Sequence, residues 1–403
     1  MNAHSPQRLS LSVIVPLGIT QTIGYGTVYY AYAVLAGPIS ADTGLSLSTI
    51  YGCFSLGLLA GACVALFAGR LLDRFHPASV MSAGSLATAL LLGLWAIVPG
   101  IVAFATFAVL VQAVSVLIFY EAAFVAAARL EPANARRTIT GITLIAGFSS
   151  TIFWPMTAWL IEHMGWREVY LVYAAMNLIV CAPLHLYLVR GAERGRIGQV
   201  NPLAETSASD RGQLSPGRTR RLVYVLMQVA FAANAYVIGA VHLHLIGILG
   251  ALGLGFAAAS VGALIGPAQV AGRVIEFVGG GRFSIVSVSI VAAGLLPVAL
   301  LILLFGAPGL AAAIAFAVLF GVGQGLSYIV RGVLPLAMFG ATGYGALTGK
   351  FNLVRLLISA GAPFLTAVII ERGGTTAALA SIVVAATIGV AALVGIAIRA
   401  GRT

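Results

Sequence analysis

Three ionisable residues sit inside long apolar runs of this chain: Glu121, Arg331 and Arg355. A charge in such surroundings is costly to desolvate, so it faces a partner, a ligand or a water-filled interior. A guanidinium near a carboxylate holds the acid ionised while burial pushes the other way. A solute or proton that changes that contact therefore changes the balance. A guanidinium alone also matches the planar geometry of a carboxylate ligand. Hydrogen-bonding groups accompany the charges. Gln21, Tyr25, Tyr29 and Tyr32 are spaced 4, 4 and 3 apart, which is one helical face. Gln228, Asn234 and Tyr236 form a second set. Such stripes suit hydrogen bonding to a small polar solute. Simpler roles compete: Glu121 paired with Arg129, Arg355 reaching water along its stem, and tyrosines serving as an interfacial aromatic belt.

The elements that must carry these residues follow from composition. Hydrophobic residues make up 60% of the 403 positions and charged residues 8%, against about 25% charged in a soluble domain. Such a chain cannot cover itself in polar surface, so the bilayer is its solvent. At roughly 20 apolar residues per span, an all-α protein of about twelve membrane helices is expected. Helices are predicted near 11–36, 46–69, 79–98, 102–128, 139–161 and 168–189. A second set lies near 222–246, 254–272, 284–305, 310–336, 350–370 and 376–398. The polar stretch from Arg190 to Arg221 cannot bury a core. The division is thus a bundle over 1–190, a cytoplasmic linker over 191–221 and a bundle over 222–403. Turns are expected at Pro99-Gly100, Gly279-Gly280-Gly281 and Ala307-Pro308-Gly309. Gly57, Gly61, Gly262 and Gly266 read as small faces for close helix packing. Trp154-Pro155 reads as a kink.

The net charge of +11 does not indicate nucleic acid, because no basic face with interleaved aromatics is present. With the N-terminus cytoplasmic, every Lys and Arg except Arg167 and Arg372 falls on or near the inner side, the positive-inside pattern. A multi-pass protein of a bacterial inner membrane with both termini cytoplasmic is expected. The first apolar run is too long for a cleavable signal. Cys53, Cys63 and Cys181 lie in spans and suggest no disulfide framework. No metal site and no cofactor are expected, and His242 and His244, two apart on a helix, make a poor chelate.

The chain repeats itself. Tyr120, Thr140-Gly141 and Pro155 recur 208 residues later as Tyr328, Thr348-Gly349 and Pro363. Gln21 and Tyr29 recur as Gln228 and Tyr236, and Gly69-Arg70-Leu71-Leu72-Asp73 recurs as Gly272-Arg273-Val274-Ile275-Glu276. A duplicated apolar chain points to a secondary transporter with its site between the halves. Gly69-Arg70-Leu71-Leu72-Asp73-Arg74 resembles the loop 2–3 signature of the major facilitator superfamily. The resemblance implies that fold, two pseudo-symmetric six-helix bundles, with helices 1, 4, 7 and 10 lining a central cavity where Glu121 and Arg331 would meet or share a substrate. It also implies that Asp73 latches the inner side against helix 11, with Gly69, Arg70 and Arg74 and the echo Gly272, Arg273 and Glu276 in the same role. An acid facing a helix N-terminus is favourable in any case.

Among function classes, an enzyme is not expected: His-Glu-x-x-His, Gly-x-Ser-x-Gly and phosphate-binding glycine loops are all missing from the sequence. A receptor would need a signalling domain longer than the linker. For substrate, the runs over 18–30 and 143–155 resemble the bacterial subgroup that includes arsenical efflux permeases, which implies export of trivalent arsenic or antimony. A small organic anion held by Arg331 and Arg355, moved with protons, is the second reading, and multidrug export the third. The expected partners are a small-molecule substrate, the lipid bilayer and protons as coupling ion, with the chain acting as a monomer.

Overall fold

The structure, a computed structural model, describes residues 11–193, 217–254, 257–279, 282–306 and 309–400. The regular elements among them are all helices. This follows from an apolar solvent, in which a backbone must satisfy its own N–H and C=O groups. Ten are α1 (Leu11–Tyr30), α2 (Thr49–Arg74), α3 (Pro77–Ile97), α4 (Ile101–Leu130), α5 (Pro132–His163), α6 (Trp166–Glu193), α7 (Arg218–Ala251), α8 (Ser260–Gly279), α9 (Ile285–Gly306) and α10 (Leu310–Phe339). The last run, Tyr344–Arg399, is two helices. Gly374 breaks it at φ 77 and ψ 176, a conformation that glycine enters without a Cβ clash. With α11 over 344–373 and α12 over 375–399, the twelve expected spans are present. The expected linker lies largely outside the described residues, as do Gly280-Gly281 and Ala307-Pro308.

The chain forms two compact units. The first is Met1–Arg211 with Gly340–Leu353, so it includes the start of α11. The second is Gly212–Phe339 with Val354–Thr403. Each has its own apolar core. The first is built on Leu35, Ile39, Phe153 and Tyr173, with Trp95 stacked on Tyr170 at 4.6 Å. The second is built on Val237, Leu300, Phe316, Phe320 and Ile382. Gly57 and Gly61 bring α2 against Gln112 and Val116 of α4. Gly266 faces open space instead. The close seam between α8 and α10 is made by Gly272, Gly321 and Gly325.

Several helices depart from regular geometry. In α1, Gly26–Tyr30 forms a π turn, after which the helix runs on through Ala31–Thr43. It stops at Gly44, whose φ is 69 and whose N–H bonds the Ser40 carbonyl at 3.0 Å. A second π turn, Asn177–Cys181, lies in α6. α4 breaks between Ser115 and Tyr120, where Phe119 is extended at φ −82, ψ −175. α5 breaks at Gly147-Phe148, and Pro155 lies within its second segment Ser149–His163.

Candidate functional site

The second unit contains a cavity of about 80 Å³. α7 contributes Phe231 and Asn234, α9 Ser289, α10 Ser327, Tyr328 and Arg331, and α11 Arg355 and Ser359. Two of the three expected intramembrane charges thus meet at one cavity, and its lining residues include no carboxylate. Asn234 donates to Ser327 Oγ at 3.3 Å, which orients the amide at the wall. The Arg331 guanidinium lies 5.2 Å from the centre of the Tyr328 ring, a cation–π contact that steadies it. Two guanidiniums with hydroxyl and amide donors make a site for an anion. Tyr236 is placed elsewhere: its hydroxyl reaches Ser381 at 3.3 Å and receives Thr366 at 3.4 Å, joining α7 to α11 and α12. Gln228 is partly buried on α7 and is not in the cavity lining.

In the first unit the expected stripe fits the break in α4. Tight turns at Leu117 and Ile118 free the Ile118 carbonyl from the helix ladder. Gln21, fully buried, donates its amide to that carbonyl at 2.6 Å. Tyr25 stacks on Phe119 at 4.2 Å and lies 4.8 Å from Tyr120. Gln21 therefore braces a broken helix, and Tyr32, whose hydroxyl bonds the Ile50 carbonyl at 2.6 Å, holds α2. Tyr29 remains 40% exposed. The break starts a new helix at Tyr120, with Glu121 in its first turn and 7% exposed. A carboxylate there is favoured by the positive end of the helix dipole. The simpler pairing of Glu121 with Arg129 loses ground, because Arg129 donates to the carbonyls of Leu72 (3.2 Å), Asp73 (3.4 Å) and Phe75 (2.8 Å). It caps the C-terminus of α2.

That cap sets the position of Asp73. Its carboxylate accepts the backbone N–H of Gly345 at 2.8 Å and of Ala346 at 2.7 Å, at the N-terminus of α11. Gly69 makes the approach possible: a Cβ there would lie 2.2 Å from the Gly345 carbonyl oxygen. Gly349 faces the Ala65 carbonyl oxygen in the same way, at 2.5 Å. Arg70 and Arg74 are exposed, with Arg74 5.5 Å from the Phe75 ring. The echo at Gly272, Arg273 and Glu276 lies at a contact between α8 and α10. Arg273 is 3% exposed, donates to Gln269 Oε1 and the Gly325 carbonyl, each at 3.3 Å, and lies 4.9 Å from the Tyr328 ring. Gly272 lets α8 approach the Val322 carbonyl of α10, so the guanidinium is drawn into that seam. Glu276 is 8% exposed on the same helix.

Residues 17–363 match the family model described as Major Facilitator Superfamily. The chain belongs to the Major Facilitator Superfamily. It is a multi-pass membrane protein and a secondary transporter of a small-molecule substrate. No curated relative matches it by sequence. Among solved structures, the human organic anion transporter MFSD10 (TETRAN) superposes with TM-score 0.75 at 15% identity, covering 96% of this chain and 100% of that one. The proton:xylose symporter XylE, bound to 6-bromo-6-deoxy-D-glucose, gives 0.67 at 14%, covering 96% and 95%. The transporter FucP in its outward conformation gives 0.66 at 14%, covering 96% and 99%. These likenesses show the major facilitator fold.

Several buried polar residues of this superfamily member carry no sequence motif. His185 of α6, fully buried, lies 3.1 Å from Ser85 Oγ of α3 and 3.0 Å from Thr20 Oγ1 of α1. Asn177 donates to Thr27 Oγ1 at 3.0 Å and thereby joins the two π turns. Gln269 and Gln324 join α8 to α10 at 3.1 Å. An isolated polar residue in an apolar run was the one available signal for each.

Proposed function

We propose that the cavity of the second unit binds a small anionic solute, which the chain carries across the membrane by alternating access. Arg331 and Arg355 supply the charge, and Asn234, Ser327 and Ser359 supply neutral hydrogen bonds. The observation that carries this reading is the pair of guanidiniums on one small cavity without a lining carboxylate. The fold likeness to an organic anion transporter supports it. Glu121, held at an internal helix N-terminus, is the proton-sensitive acid of the first unit. Asp73, with Gly69 beside it, is the latch whose release frees α11 from α2. The working form is a monomer in a bacterial inner membrane with both termini cytoplasmic, coupled to protons.

Export of trivalent arsenic or antimony is the second reading. Asn234, Tyr328 and the cavity serines suit a neutral trihydroxide. The sequence runs that suggested it have a packing explanation, however. Gly18 lies against Ile145, Gly26 against Phe153, and Ser149 donates to the Thr22 carbonyl at 2.7 Å. These runs are two sides of one α1–α5 seam. Cys53 and Cys181 are buried in the first unit's apolar core.

Proteoliposomes containing the purified chain test both readings, with labelled lactate, pyruvate, sulfate and arsenite offered separately. The anion reading expects uptake or exchange of a carboxylate or sulfate that Arg331→Ala and Arg355→Ala each abolish. Arsenite movement alone, insensitive to Arg355→Ala, would replace it with the arsenical reading.

A further inference from the structure

The anion cavity is wired to a histidine. Arg273 donates Nη2 to Gln269 Oε1 at 3.3 Å. Gln269 donates Nε2 to Gln324 Oε1 at 3.1 Å. Gln324 in turn donates Nε2 to His242 Nε2 at 2.9 Å. At its other end Arg273 lies on one side of the Tyr328 ring at 4.9 Å, and Arg331 lies at 5.2 Å from the same ring. One chain of contacts thus runs from α7 through α10 and α8 to the cavity wall. It has a single direction, with every amide donating towards the imidazole. Gln324 is 1% exposed, whereas His242 is exposed on α7, which runs on to Ala251.

We propose that His242 is a proton-binding residue of the transport cycle, and that the Gln324–Gln269–Arg273–Tyr328 chain couples its charge to Arg331. This rests on the anion reading of the cavity. The switch needs little motion. A neutral His242 offers the Nε2 lone pair to the Gln324 N–H. A proton taken from water onto Nε2 turns that nitrogen into a donor, and its acceptor, Gln324 Oε1, already stands 3.2 Å away. That oxygen then accepts from both His242 and Gln269. The Gln324 N–H loses its acceptor, and the Gln269–Gln324 bond is weakened by competition, which frees Gln269, the acceptor of Arg273, to shift. Arg273 is thereby loosened against Tyr328, and Arg331 with it.

The groups that bear on His242 can be named. Gln324 of α10 is its described contact. The charged or titratable groups on the helices of this unit are Arg218, Arg220, Arg221, Tyr224, Tyr236 and His244 on α7, Arg273 and Glu276 on α8, Tyr328 and Arg331 on α10, Arg355, Glu371 and Arg372 on α11, and Arg399 at the far end of α12. None of these is a described hydrogen-bond partner of His242.

The test uses the full chain in proteoliposomes loaded with a pH-sensitive dye, with lactate, pyruvate or sulfate added outside. His242→Gln keeps a hydrogen-bonding amide but takes no proton. It is expected to exchange the anion while losing anion-driven proton flux, and Gln269→Leu is expected to do the same with His242 intact. Proton flux in His242→Gln equal to that of the parent overturns the proposal. If no anion moves in any variant, the anion reading fails by itself. The histidine proposal is then decided by the ¹⁵N imidazole resonance of His242, assigned by its loss in His242→Gln. A resonance that titrates between about pH 5 and 8, with a midpoint moved by Gln269→Leu, supports coupling along the chain. A resonance that does not titrate, or one indifferent to Gln269→Leu, overturns it.

Discussion

Replacing Asp73 by Asn weakens the anchor that holds the start of α11. Both carboxylate oxygens accept a backbone N–H, from Gly345 at 2.8 Å and Ala346 at 2.7 Å. Hydrogen bonds to a charged group contribute about 1.5–3 kcal/mol each, and Asp73 is half-buried, which favours the low end. Its charge at a helix N-terminus adds about 0.3–1 kcal/mol. Asn keeps one acceptor but turns an N–H towards the other amide. The net loss is about 2 kcal/mol, or roughly thirtyfold in the equilibrium between held and released α11. Hydrogen exchange on the chain in nanodiscs reads this directly. Peptides covering 340–353 should exchange about thirtyfold faster in Asp73→Asn, while the α9 and α12 peptides should not change. Identical protection of Gly345 and Ala346 in both proteins would refute the reasoning, since the carboxylate would then contribute nothing to holding the segment.

Other outcomes are expected. Gly69→Ala places a methyl 2.2 Å from the Gly345 carbonyl oxygen. Backbone there cannot yield as a side chain does, so the same peptides should lose protection by about 1–3 kcal/mol; unchanged exchange would show that the approach has slack. Gln21→Leu leaves the buried Ile118 carbonyl without its donor and should destabilise the first unit by about 1–3 kcal/mol, read as a lower Tm in detergent; an equal Tm would mean that the α4 break does not need the brace. Glu121→Gln removes the charge from the internal helix N-terminus and should stop proton-driven uptake in proteoliposomes while leaving expression and folding intact; normal uptake would remove Glu121 from the mechanism.

A pH effect is expected at the contact of Asp42 with Arg167 and Trp166. The Arg167 guanidinium, and after it the Trp166 indole N–H at 3.0 Å, hold the Asp42 carboxyl below its usual pKa. A lowered folded pKa means that the contact contributes fully above the unfolded value of about 4 and is lost as pH falls through the folded value. Trp166 emission should therefore be steady from neutrality down to about pH 4 and change below it. Asp42→Asn should abolish that acid transition, and its persistence in the variant would assign it to another group.

Much of the architecture was legible in the amino-acid order, because a bilayer leaves a chain few choices. The low charge content and the unbroken apolar runs required spanning helices. The Gly69–Asp73 spacing placed an acid at a helix end, and the depth of Arg331 and Arg355 marked a polar interior. Position along a helix and the cost of burial are local properties, so sequence carries them. Partners are not local. The break in α4 falls in Val116-Leu117-Ile118-Phe119, which holds neither Gly nor Pro, and the group that satisfies it comes from Gln21, 97 residues away. Arg273 looked like the echo of a surface latch, yet close α8–α10 packing buried it beside Gln269 and Tyr328. Which donor meets a freed carbonyl, and which arginines come to share a cavity, were decided by tertiary packing, because only packing sets which distant side chains lie within three ångströms of one another.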